Sequence, residues 1–147
     1  PAMRHSSTAC CLVLLACLAP LAPAGATILR ITVTNVRNDD GSIVALVYDS
    51  ADRWLSERWR SRKLVAIAGH RVDDTVTLEF DLPPGQYAFS VFQDLDANSR
   101  LERSFLGRPR EPAGLSNNLR PRLGPARYRD AVFTLGDQPL EQRIRLE

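Results

Sequence analysis

The feature that most constrains this chain is an apolar alternation with a period of two, recurring between turn-forming residues. Leu29, Ile31 and Val33 alternate with Arg30, Thr32 and Thr34, and Val76, Leu78 and Phe80 repeat the pattern between Thr75 and Asp81. Near the end, Ile144 and Leu146 alternate with Arg143 and Arg145. Successive side chains of a strand point to opposite faces, so this period marks strands with one dry and one wet face. Two stretches differ. Ser42 to Asp49 carries Ile43, Ala45 and Val47 on one face and Val44, Leu46 and Tyr48 on the other. Gln86 to Gln93 carries Tyr87, Phe89 and Val91 against Ala88, Ser90 and Phe92. Strands apolar on both faces are covered on both sides, so the first is expected to be central and the second to bury both faces.

Turn chemistry separates these runs. Asp40-Gly41 is a hairpin signal, Asp73-Asp74 a turn, Pro83-Pro84-Gly85 a tight turn, and Gly136 to Pro139 the last connection. Leu64–Ala68 and Tyr128–Leu135 supply the remaining strands. Ser50 to Arg60 lacks the period of two; Ser50 caps a short helix there, with Leu55 and Trp59 one turn apart. Trp54 and Trp59 offer either a stacking platform for a sugar or base or, more commonly for such aromatics, a plug over an open sandwich end. The expected fold is all-β: a seven-stranded antiparallel β-sandwich with one short helix and one long loop, from Asp94 to about Arg127.

The N-terminal segment has a different character. Met3-Arg4-His5 precedes an apolar run from Ala9 to Leu21, and Ala24-Gly25-Ala26 supplies small residues for cleavage. Residues 1–26 therefore read as a signal peptide and 27–147 as one domain, periplasmic or secreted. The run falls short of the ~20 apolar residues of a spanning helix, so no membrane span is expected. Leu14-Leu15-Ala16-Cys17 resembles a bacterial lipobox, which would place a lipid anchor at Cys17; the apolar run continuing to Leu21 and the small residues after it favour cleavage at Ala26. Cys10, Cys11 and Cys17 all lie in this segment. The domain then has neither thiol chemistry nor a disulfide and must stand on its core.

Composition removes two classes. The 19 Lys+Arg nearly balance 17 Asp+Glu, and Lys63 is the only lysine, so a nucleic-acid footprint is not supported. His70, beside Gly69 and Arg71, is the only histidine outside the leader, which excludes a histidine-rich metal site.

Chemistry concentrates between Asp94 and Asn118. Asp94, Asp96, Asn98 and Glu102 stand at positions 1, 3, 5 and 9 of a calcium-loop pattern, with the Arg100 carbonyl at 7. Alternate-residue spacing curls oxygens toward one point, as a hard cation requires. Two hallmarks are missing: position 6 is Ser99 rather than glycine, and position 12 is Phe105 rather than glutamate. Glu111 supplies a late carboxylate only if the loop folds back. The simpler reading is a polar loop whose Asp and Asn side chains bond their own backbone. Ser116, Asn117 and Asn118 close the stretch, binding a polar ligand or making a turn. No nucleophile–base–orienter set can be assembled, so a hydrolase using Asp94 or Asp96 ranks last and no enzyme is expected.

The stretch LPPGQYAFSVFQDLDANSRLE (82–102), followed by Gly107-x-Pro109-x-Glu111-x-x-Gly114-Leu115-Ser116-Asn117-Asn118, resembles the bacterial family called domain of unknown function 2141. That family runs PPG-x-Y-A, then a His-Asp-x-Asp/Asn-x-Asn-Gly-x-x-Asp loop, then G-x-P-x-E-x-x-G-F-S-N-N. Asp94, Asp96 and Asn98 match, whereas Gln93 stands for His, Ser99 for Gly, Glu102 for Asp and Leu115 for Phe. The resemblance implies an exported bacterial protein with a transthyretin-like or carboxypeptidase-regulatory-like sandwich, and no known activity. The leading expectation is a non-enzymatic module that binds an unknown ligand or envelope protein through the 94–118 loop. Its candidate ligand-binding residues are Asp94, Asp96, Asn98, Glu111, Ser116, Asn117 and Asn118. A structural envelope role and a calcium-stabilised module, with metal ligands Asp94, Asp96, Asn98 and Glu102, are the alternatives; no other cofactor is expected.

Overall fold

The computed structural model of the protein describes residues 25–101 and 111–147. The expected leader, Cys17 included, lies outside the described residues up to residue 24, as does Glu102. Among the described residues there are eight strands: β1 (Thr27–Thr34), β2 (Ser42–Tyr48), β3 (Ser61–Ala66), β4 (Val76–Leu82), β5 (Gly85–Asp94), β6 (Ala113–Leu115), β7 (Phe133–Leu135) and β8 (Leu140–Arg145). A 3-10 turn spans Ser116–Asn118, and one helical turn, α1, spans Tyr128–Ala131. No helix among the described residues is long and apolar enough to cross a membrane.

The strands form a sandwich of two sheets. One has the order β4-β1-β8; the other has β3-β2-β5-β6, with β7 also pairing β5. β6 pairs with β5 at Ser90–Phe92 and β7 pairs with it at Gly85–Tyr87, so the two short strands share one strand edge. The three-stranded sheet keeps the one-sided pattern. Leu29, Ile31, Val33, Val76, Leu78, Phe80 and Ile144 are buried between the sheets. On its outer face Arg30 pairs with Glu79 at 2.8 Å, and the Thr32 hydroxyl donates to Glu141.

The central strands of the five-stranded sheet, β2 and β5, are buried on both faces, as their double apolar pattern requires, while β3 is largely exposed. Ile43, Ala45, Val47, Tyr87, Phe89 and Val91 face the main core. Val44, Leu46, Tyr48 and Phe92 form a second cluster on the outer face, covered by Trp54, Leu101 and Ala113. The Tyr48 and Trp54 rings meet edge-on at 5.3 Å, Trp54 and Tyr128 at 6.0 Å, and the Trp54 indole N–H donates to the Ala126 carbonyl.

Several expectations change. The strands number eight rather than seven, because the long loop contains β6. The sandwich is not wholly antiparallel: β8 runs parallel to β1. The chain changes sheet between β7 and β8, and a strand entering a new sheet is free of the direction reversal a hairpin imposes. For the same reason Asp40-Gly41 is not a hairpin. β1 pairs with β4 and β8, β2 with β3 and β5, and the turn is a crossover between sheets. Ser50 to Arg60 forms successive four-residue turns rather than a helix, with Arg53 N–H donating to the Ser50 carbonyl and Ser56 N–H to the Arg53 carbonyl. Leu55, at φ 55°, takes the left-handed conformation that ends a right-handed helix. Its aromatics do not plug a sandwich end: Trp54 lies over the outer sheet face, and Trp59 is 41% exposed. Tyr128–Ala131 coils into α1, closed by Val132 N–H to the Tyr128 carbonyl, and only Phe133–Leu135 remains strand. The Leu64–Ala68 strand begins earlier and ends earlier, at Ser61–Ala66.

Candidate functional site

β5 carries the chain from the Pro83-Pro84-Gly85 turn to Asp94, at the end of the sheet. Buried Gln93 fixes this end: its amide donates to Asn38 Oδ1 at 2.8 Å and to the Asp40 carbonyl at 2.9 Å. The Asn38–Asp40 turn is steadied by Arg71, whose hydrogen bond to Asp39 holds that carboxyl below the usual carboxylate range. Gly41, at φ 72°, passes so close that an added Cβ would lie 2.0 Å from the Asp94 carbonyl oxygen. Across the strand, Gln93 N–H donates to Pro112 and Leu95 N–H to Glu111 Oε1. The loop thus folds back, and Glu111 returns to the start of the loop it closes.

This return assembles three carboxylates. Asp94, Asp96 and Glu111 each present an oxygen, all within 4.8 Å of one another. Asp94 is 1% exposed and Glu111 7%, whereas Asp96 is exposed. Asp94 Oδ2 accepts from Ser99 N–H at 2.8 Å; its buried Oδ1 has no hydrogen-bond donor among the described residues. Asp96 accepts from the backbone and side-chain amides of Asn98, and Asn98 Oδ1 accepts from Arg100 N–H. Ser99 takes φ 58°, the left-handed conformation for which a calcium loop uses glycine at this position. Of the sequence-predicted metal set, Asp94 and Asp96 lie together, Asn98 has its oxygen on a backbone amide, and Glu102 falls outside the described residues.

Ala97, exposed and at φ 60°, tests the loop conformation. A left-handed alanine costs roughly 1–2 kcal/mol, which glycine avoids at an entropic cost of roughly 0.5–1 kcal/mol. Ala97→Gly is expected to raise stability by about 0.5 kcal/mol in urea denaturation, within that difference.

Ser116, Asn117 and Asn118 lie elsewhere. Ser116 Oγ accepts from Phe89 N–H at 3.1 Å and donates to the Ala131 carbonyl at 2.6 Å. Asn117 exchanges bonds with Gln142 and donates to Val132, and Asn118 Oδ1 accepts from Arg145 N–H. Phe89 precedes Asp94 by five residues on β5, about 16 Å at ~3.3 Å per residue. One stretch of sequence therefore feeds two places, and at the second the polar side chains join β5, β8 and α1. Ser116→Ala strands the buried Phe89 N–H and is expected to cost about 1–3 kcal/mol in a thermal melt.

A cleft of about 580 Å³ lies on the outer face of the five-stranded sheet. Leu46, Tyr48 and Ser90 floor it, Leu55 to Glu57 with Trp59 form one wall, and Asn98 to Leu101 form the other. Arg62 enters from β3 and donates to Ser99 Oγ at 2.6 Å. Arg100 and Glu57 meet across the walls at 3.2 Å, both well exposed. Behind the wall, burial and then the charge of Asp49 push the Tyr128 phenol up. Leu55, Trp59 and the Asn98–Arg100 stretch are singled out by sequence patterns, whereas Leu46, Ser90 and Arg62 escape a reading of motifs. The available signal was Ser90, a small polar residue between Ala88 and Phe92 on an otherwise apolar face.

No curated protein and no solved structure matches the chain. The family described as "Uncharacterized protein conserved in bacteria (DUF2141)" matches over residues 31–143, which take in the second half of β1, all of β2 to β7, the carboxylate cluster and most of β8. With that span covering most of the sandwich, the chain belongs to the DUF2141 family of bacterial proteins.

Proposed function

We propose that the protein is a non-enzymatic, periplasmic or secreted sandwich module that binds a small ligand in the cleft beside the Asp94 loop. The cleft itself carries this reading. Its volume of about 580 Å³ lies within the roughly 300–1,000 Å³ of small-molecule sites. Leu46, Leu55, Leu101 and Trp59 offer apolar contact, and Arg62 and Arg100 offer guanidinium groups at the rim. That pairing suits a ligand with an apolar or ring-shaped body and a carboxylate, which guanidinium can hold with two parallel hydrogen bonds. The export half of the proposal rests on the N-terminal leader pattern. The non-enzymatic half is supported by Ser116, the buried hydroxyl of the stretch that closes the loop, whose proton is committed to the Ala131 carbonyl.

The test is amide chemical-shift mapping with uronic-acid oligosaccharides, aromatic carboxylates and short acidic peptides. Shifts are expected at Leu46, Ser90, Arg62 and Leu101. Arg62→Gln should weaken binding about tenfold or more, the loss of a charge-assisted hydrogen bond of roughly 1.5–3 kcal/mol. Shifts confined to other surfaces, or unchanged affinity in Arg62→Gln, would refute the cleft as the site. A structural envelope role is favoured by the framework bonds of Ser116, Asn117 and Asn118. Under that reading, substituting them lowers stability and changes no binding.

A further inference from the structure

We infer that Asp94, Asp96 and Glu111 form a binding site for a calcium-class divalent cation that pins the returning loop to the end of β5. Their oxygens lie within 4.8 Å of one another. Two oxygens on opposite sides of one calcium ion, each ~2.3–2.6 Å from it, would be about 4.6–5.2 Å apart, so one ion can touch all three. Loop hydrogen bonding accounts for Asp96, which accepts from Asn98, and for one oxygen of Asp94. It does not account for Asp94 Oδ1, buried in a residue that is 1% exposed and offered no donor among the described residues. Burying a polar atom without a partner is costly, and a buried carboxylate oxygen more so, which makes an ion the natural complement. Among the described residues no arginine or lysine forms an ion pair with Asp94 or Asp96.

The ligand set differs from the one read by spacing. A local calcium loop closes on a residue eleven positions after the first; here the closing carboxylate is Glu111, brought back by the Leu95 and Gln93 backbone bonds. Calcium is favoured over magnesium because it accepts irregular oxygen sets, whereas magnesium demands near-octahedral geometry and sheds water reluctantly. Bound there, the ion would also hold Asn98 to Leu101, the loop wall of the cleft. The inference does not depend on the cleft being a binding site, since the metal alone is its probe.

Isothermal titration of the full chain with calcium chloride is expected to show one site, with a dissociation constant of about 10⁻⁴–10⁻³ M, the range of extracellular modules. At 10 mM calcium the melting midpoint should rise by about 4 °C or more over chelator. Asp96→Asn alters an exposed carboxylate and should leave the circular dichroism spectrum unchanged while weakening calcium about tenfold or more. Glu111→Gln and Asp94→Asn should do the same, whereas Glu102→Gln should not. If Asp94→Asn fails to fold, Asp96→Asn still decides. The inference is overturned by the absence of heat and thermal shift at 10 mM calcium, or by full affinity in folded Asp96→Asn. Loss of binding in Glu102→Gln but not in Glu111→Gln would refute this ligand set. Magnesium binding as tightly as calcium would refute the calcium assignment.

Discussion

Replacing Gly41 with alanine is expected to cost about 3 kcal/mol, lowering the melting midpoint by about 10 °C. Two costs add. The φ of 72° is left-handed, which charges any side chain roughly 1–2 kcal/mol. The new Cβ would also fall 2.0 Å from the Asp94 carbonyl oxygen and 3.0 Å from its carbon, backbone atoms that cannot swing away. Overpacking of this kind costs roughly 1–3 kcal/mol more. The other glycines separate the two effects. Gly69, at φ 83° with nothing within 4 Å of an added Cβ, should show the conformational cost alone, about 1 kcal/mol. Gly136, with neither positive φ nor a neighbour, should tolerate alanine within about 0.5 kcal/mol. If Gly41→Ala and Gly69→Ala lose the same stability, the close approach to Asp94 carries no energy. The clash also displaces the Asp94 backbone, so Gly41→Ala should weaken any calcium binding measured on the intact chain.

Phe92→Ala is expected to cost about 3–5 kcal/mol, as much as a truncation in the central core. Phe92 is on the outer face of β5, the side a simple sandwich leaves to solvent, yet it is 0% exposed. It packs in the cluster of Val44, Leu46 and Tyr48, roofed by Trp54, Leu101 and Ala113. Alanine there would lose the buried ring and leave a cavity beneath the turns that follow β2. Urea denaturation measures the effect, with the midpoint falling and the slope unchanged. A loss below about 1 kcal/mol would mean that the outer cluster is a surface patch rather than a second core.

How far the structure was legible in the sequence follows from the range over which each signal acts. The one-sided alternation of β1, β4 and β8 placed Leu29, Ile31, Val33, Val76, Leu78, Phe80 and Ile144 in the core, where they are. The two-sided pattern marked β2 as central, and it lies between β3 and β5. These readings hold because strand periodicity is local: which face a residue takes depends only on its neighbours along the chain. The turn at Asp40-Gly41 was legible as a turn but not as a crossover, since a turn's residues do not say which sheet receives the next strand. The alternation of Ala131, Phe133 and Leu135 with Val132 and Thr134 extends the strand reading back over Tyr128–Ala131. That segment coils because Ser116 bonds the Ala131 carbonyl and Tyr128 meets Trp54, contacts from distant parts of the chain.

By itself, the sequence determined a sandwich with two strands, β2 and β5, dry on both faces and a polar loop launched from the end of β5. Spacing put Asp94 and Asp96 on that loop, because alternate-residue patterns are a property of a few consecutive residues. Only the tertiary structure decided that Glu111, seventeen residues after Asp94, joins them, and that Ser116 to Asn118 belong to another place. Pairing of the returning segment with β5 and with the end of the chain, where Ala113 and Glu147 exchange backbone bonds, sets both outcomes. Strand pairing between remote segments is a long-range choice, and no local pattern in the Asp94 loop encodes it.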